Sequence, residues 1–105
     1  MDIETLTVAA VSTVSIAKPR RYLGQLCKHF EHKLPASYAE NYETGRIEFS
    51  VGLCELEADE AQGVLTMRVR AANEADLNRL EDVVARHLVR FAFRETLDLA
   101  WSREP

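Results

Sequence analysis

Apolar and polar residues alternate over residues 8–16, a stretch rich in β-branched side chains that puts Val8, Ala10, Val14 and Ile16 on one face of an extended strand. The period then changes. At about 100° per residue, Leu23, Leu26, Cys27, Phe30 and Leu34 fall within one arc of about 100°, the width of a core-facing helical stripe. Pro19 suits a first helical position, where its missing N–H costs nothing, so a helix is expected over residues 19–34, ended by Pro35. Residues 35–44 carry no period and read as a loop holding Tyr38 and Tyr42 beside Glu40 and Glu43, either a place for recognition or simply the bridge from helix to sheet.

Alternation returns over residues 45–70. Three strands follow closely, with Ile47, Phe49 and Val51, then Cys54, Leu56 and Ala58, then Leu65, Met67 and Val69 inward, and with turns at Gly52 and Gly63. Glu48, Ser50, Glu55 and Glu57 face outward against Thr66, Arg68 and Arg70, so antiparallel neighbours can pair opposite charges on a solvated face. Asn73 is the expected cap of a second helix, with Asp76 placed to reach back to it. Leu77, Leu80, Val84, Leu88 and Phe91 form that helix's apolar stripe, and Asp82 with Arg86 makes a well-oriented i,i+4 pair. Leu97, Leu99 and Trp101 then alternate as a closing strand. The order β-α-β-β-β-α-β gives an α+β fold of two layers, a largely antiparallel sheet of about five strands with both helices on one face.

Composition narrows the classes. A chain of 105 residues, 47% of them hydrophobic and 29% charged, reads as one ordinary globular domain over residues 1–105. Thirteen basic against seventeen acidic residues give a net charge of −4, and the sheet lacks an aromatic platform, so nucleic-acid binding is not expected. No apolar run is long enough to span a bilayer. The first residues, with Asp2 and Glu4, do not resemble a signal peptide, and two cysteines fit a reducing compartment, so a cytoplasmic location is expected.

Candidate chemistry centres on the first helix. It holds two of the three histidines and one of the two cysteines, but Cys27 belongs to the core stripe, and His29 and His32 lie roughly 160° and 140° around from it, too far to share an ion. His29 and His32 themselves are an i,i+3 pair on one patch, with Tyr22 beside His29, and the simpler reading is of polar histidines on a solvated basic face with Lys28 and Lys33 rather than a partial metal or haem site. His87 sits at the edge of the second helix's stripe, where a histidine is most often a hydrogen-bonded core residue. Lys18, Arg20, Arg21, Lys28 and Lys33 concentrate positive charge on the first helix, a patch suited to an anion or an acidic partner, although a solvated helix face is the simpler explanation. There is no nucleophile elbow, phosphate-binding glycine loop or pair of carboxylates in an apolar setting, so enzyme activity ranks last. Cys27 and Cys54 both point inward, where thiols are inert.

The segments Arg21-Tyr22-Leu23, Gln25-Leu26-Cys27-Lys28-His29-Phe30, His32-Lys33, Gly45-Arg46-Ile47-Glu48-Phe49, His87-Leu88, Arg90-Phe91-Ala92-Phe93-Arg94-Glu95 and Trp101 resemble the small bacterial proteins grouped as domain of unknown function 2218. The resemblance covers about residues 12–101 and implies a stand-alone bacterial cytoplasmic protein, some relatives being encoded near siderophore-interacting proteins, with no agreed activity. All three histidines lie inside the shared segments. If the helices pack side by side, His29, His32 and His87, or two of them with Tyr22, could form a site for zinc, ferrous iron or haem, and iron handling would agree with the siderophore association. The contrasting expectation is a regulatory or protein–protein interaction module without metal, docking through the basic first helix and the tyrosine loop. A small ligand, a protein partner and a homodimer all remain open.

Overall fold

The computed structural model describes residues 3–104; Asp2, used above against a signal peptide, lies outside them. After a short 3-10 turn at Ile3–Thr5 come β1 (Val8–Ser15), α1 (Pro19–Glu31), β2 (Ala36–Tyr38), β3 (Thr44–Phe49), β4 (Gly52–Asp59), β5 (Val64–Ala71), α2 (Glu74–Phe91) and β6 (Ser102–Glu104). The six strands form one open sheet in the order β2-β3-β4-β5-β1-β6, and every neighbouring pair is antiparallel. The protein is therefore α+β, and Leu23, Leu26, Leu77, Leu80, Val84 and Leu88 of the two helices join one core with Ala10, Val14, Ile47, Cys54, Leu56, Met67 and Val69 of the sheet.

Register follows from which residues must be buried, because a slip of one position would turn the apolar set to water. Ile47 lies opposite Cys54, and Leu56 opposite Met67. On the other face Glu55 lies opposite Arg68, and Arg70 reaches Glu55 across a diagonal of the ladder at 3.6 Å. The helices are built as their sequences suggest, with local departures. Asn73 accepts from the Asp76 N–H at 2.9 Å, while Asp76 reaches back to the Asn73 side-chain amide rather than to its backbone. Arg86 pairs with Asp82 at 2.8 Å.

Four boundaries differ from expectation. The α1 helix stops at Glu31, and the Leu34 N–H still bonds to the Phe30 carbonyl at 2.8 Å, which carries the apolar stripe one turn past the helix proper. The segment before Thr44 is not all loop: β2 pairs with β3 through Ala36 opposite Ile47 and Tyr38 opposite Gly45. Three residues are too few to display a period. Gly52 opens β4 rather than forming the turn, opposite Phe49 on one side and Ala71 on the other, and a Cβ there would collide with the Arg70 carbonyl and the Leu80 side chain. Gly63 does turn, with φ of +65°, a conformation that costs a glycine little. Finally, Leu97, Leu99 and Trp101 pack against the core without joining the ladder, and the closing strand is β6, bonded to β1 through Ala9 opposite Glu104. Alternation registers side-chain burial, whereas a ladder also needs a free strand edge.

One core position escaped the pattern. Ser12 is 1% exposed on the helix side of β1, between Ala10 and Val14, and its Oγ has no hydrogen-bond partner. A buried hydroxyl left unpaired costs about 1–3 kcal/mol. Ser12→Ala should therefore raise stability by about 1 kcal/mol in urea unfolding at unchanged m-value; a loss of stability would mean that the hydroxyl is satisfied.

Candidate functional site

The stripes that seat α1 and α2 on the sheet also bring their edges together. His29 leaves α1 near its C-terminal end and His87 leaves α2 one position before the buried Leu88, and the two imidazole centroids lie 5.0 Å apart at 48°. Aromatic rings surround them. Phe30 is 4.8 Å from His87 and 5.0 Å from Phe49, and Phe91 stands 5.4 Å from His29. Between the helices opens a cleft of about 510 Å³, lined by His29, Phe30, His32, Lys33, Leu34, Phe49, Val83 and His87.

The two imidazoles are set differently. His87 Nδ1 lies 2.7 Å from the Val83 carbonyl, and a carbonyl only accepts, so Nδ1 donates and a neutral His87 keeps its lone pair on Nε2. His29 is held below the ordinary imidazole value, first by burial and then by the nearby His87, Arg90, His32 and Lys33 charges. At neutral pH His29 is therefore an uncharged ring beside a cationic rim.

The structure brings together His29, itself exposed, and the half-buried His87 from the expected set, and leaves His32 exposed on the rim. Among the described residues no three histidine, cysteine or carboxylate side chains converge so as to hold a metal ion, which reduces the zinc, iron or haem set to an imidazole pair. Tyr22 serves elsewhere. Its phenol is raised above the usual range by burial and then by the neighbouring Glu95 carboxylate, which accepts from the Ala17 N–H at 2.9 Å. This contact ties the segment after α2 to the start of α1.

The basic patch divides. Lys33 belongs to the histidine cleft, whereas Arg20, Arg21 and Lys28 line a second cleft with Gly24, Gln25 and Tyr42. Lys18 is exposed in a left-handed conformation just ahead of α1 and lines neither. Both cysteines are free and fully buried. Burial pushes the Cys27 thiol up to about 11 and raises that of Cys54 further, so neither is a thiolate near neutrality.

Sequence reasoning found the histidines but missed the walls of their cleft. Phe30 and Phe49 read as core and Val83 carries no signal, because nothing in the residue pattern shows that one edge of the helix seam stays open.

A family model described as "Uncharacterized protein conserved in bacteria (DUF2218)" matches residues 11–102. Among solved structures, the NMR structure of PA4090 from Pseudomonas aeruginosa is similar at 33% sequence identity and a TM-score of 0.76, over 91% of this chain and 96% of that one. No curated protein matches.

The lowered His29 value carries a sign. The unfolded chain binds a proton there more readily, so the native state has its full advantage above about pH 6.5 and loses it as pH falls from 6.5 through the lower folded value. The His29 Cε1–H resonance should titrate with a midpoint below 6.5, and part of the acid-side fall in melting temperature should vanish in His29→Gln. An identical fall in both proteins would contradict the assignment.

Proposed function

The chain belongs to the DUF2218 family, and we propose that it is a binding protein whose interhelical cleft takes a small ligand with an apolar or aromatic body and an anionic group. The reading is carried by one observation: the His29 and His87 imidazoles lie 5.0 Å apart in a concave space of about 510 Å³ that is otherwise mostly hydrocarbon and aromatic. A concave, largely apolar site with a few polar groups is the usual form of a small-molecule pocket. Phe30, Phe49, Leu34 and Val83 would receive the body of the ligand. His87 Nε2 and the uncharged His29 offer hydrogen-bonding atoms inside the cleft, and Lys33 and His32 on its rim, with Arg90 nearby, would attract the anionic end. Arg86 is less available because Asp82 already holds it.

A second reading, metal or iron binding, is favoured by the orientation of His87, since a histidine whose Nδ1–H is fixed by a carbonyl presents Nε2 as metal-binding histidines do. It requires the remaining ligands to come with the cargo, a siderophore-like chelate being one chemical form of that.

Fluorescence titration with 8-anilinonaphthalene-1-sulfonate, an aromatic anion, separates these readings when run beside a zinc titration. The sulfonate should bind saturably at one site, and Val83→Trp, which fills the cleft from α2, should weaken it at least tenfold, about 1.4 kcal/mol, with thermal unfolding preserved. Unsaturable binding, or equal affinity in the variant, contradicts the apolar-anion reading. Stoichiometric zinc binding lost in both His29→Ala and His87→Ala would support the metal reading in its place.

A further inference from the structure

The cleft on the outer side of α1 is a second concave basic surface. Arg21, Gly24, Gln25 and Lys28 recur at spacings of three and four along one helix face, and the turn between β2 and β3 folds back over them. Tyr42 does the folding. Its backbone is left-handed, with φ of 60°, an uncommon state for a bulky residue that persists only where the surroundings hold it. Its ring lies directly on Gly24, where an added Cβ would come within 3.0 Å of Tyr42 Cδ1. The Lys28 ammonium stands 4.8 Å from the centre of the same ring, and Tyr38 stacks on that ring at 5.6 Å.

Among the described residues the surrounding carboxylates leave Arg21 and Lys28 without an ion pair, although the Tyr42 phenol and then Glu31 still favour the charged Lys28. Glu31, one helical turn from Lys28, is engaged by the Tyr38 hydroxyl at 3.2 Å. Glu60 lies 3.7 Å from Arg20 and also accepts from the Arg20 N–H. Among the described residues no carboxylate comes within ion-pair distance of Arg21 or Lys28. A solvated helix face needs neither a strained tyrosine to wall it nor its acidic neighbours drawn aside.

We propose that this cleft, of about 430 Å³, is a binding site for the phosphate group of a small phosphomonoester, held by Arg21, Lys28 and Gln25 and walled by Tyr42. Two cations free of ion pairs among the described residues suit the charge of about −1.5 to −2 that a phosphomonoester carries at neutral pH, and the guanidinium and amide supply directional donors that a carboxylate would use less fully. The site is separate from the histidine cleft and does not depend on the reading given for it.

Amide chemical-shift titrations of the full chain with inorganic phosphate, with acetate and with chloride at matched ionic strength test the assignment. Phosphate should give saturable shifts centred on Gly24, Gln25, Lys28 and Tyr42, with acetate and chloride at least tenfold weaker. Lys28→Ala and Arg21→Ala should each weaken phosphate at least tenfold. Tyr42→Gly, which suits the left-handed backbone while removing the ring, should weaken it with the remaining spectrum unchanged. Shifts spread equally over Arg79 and Arg86, acetate binding as tightly as phosphate, or unchanged affinity in Lys28→Ala would overturn the proposal.

Discussion

Everything at the candidate sites depends on two helices sharing one face of one sheet. Leu23 and Leu26 of α1 and Leu77, Leu80, Val84 and Leu88 of α2 are all 1% exposed or less. At about 25 cal/mol per Å² of apolar surface removed from water, each such side chain contributes on the order of 2 kcal/mol, far more than any single polar contact on the surface. That burial fixes the rotation of each helix about its axis. Once the leucines are seated, His29 and His87 have to meet at the seam, and Arg21, Lys28 and Gln25 have to face away from it. The sheet has its own constraint at Gly52, where only a residue without a side chain lets the Arg70 carbonyl and Leu80 approach together.

Charge is handled differently on the surfaces so produced. On the open face of the sheet, positive and negative side chains pair, Arg68 with Glu104 and Arg70 with Glu55, as expected of a solvated face whose exposed pairs contribute little. Around the helices pairing is uneven. Arg86, Arg20 and Arg103 have carboxylate partners, whereas Lys33 lies on the rim of an aromatic cleft and Lys28 over a tyrosine ring. Uneven pairing beside a concave surface is the feature from which both binding proposals grow.

The parts legible in the sequence are those governed by burial. The helical stripes, the alternation of β1, β3, β4 and β5, the Asn73 cap and the outward charges of Glu55 and Arg68 follow from period alone, and they were enough to put both helices on one face. Period is silent on edges. It missed β2, which has only three residues, and it assigned the last strand to Leu97–Trp101 because that segment alternates while packing without a ladder. At the sites, the wheel positions of His29 and His87 implied their meeting, yet nothing local could show that Glu95 takes Tyr22, that Glu60 takes Arg20, or that Tyr42 folds back over Gly24. Those contacts join residues far apart in the chain and depend on backbone geometry that no residue pattern records.

The central claim is that helix packing sets two imidazoles 5.0 Å apart at 48°, one oriented by a backbone carbonyl. Long-range ¹H–¹⁵N correlation of the histidine rings at pH 7.5, with nuclear Overhauser contacts between them, measures it directly. The account predicts a His87 ring carrying its proton on Nδ1, an uncharged His29, and ring-to-ring contacts between the two that fit a centroid separation of 5.0 Å. A His87 protonated on Nε2 alone, or the absence of any contact between the two rings, would contradict it.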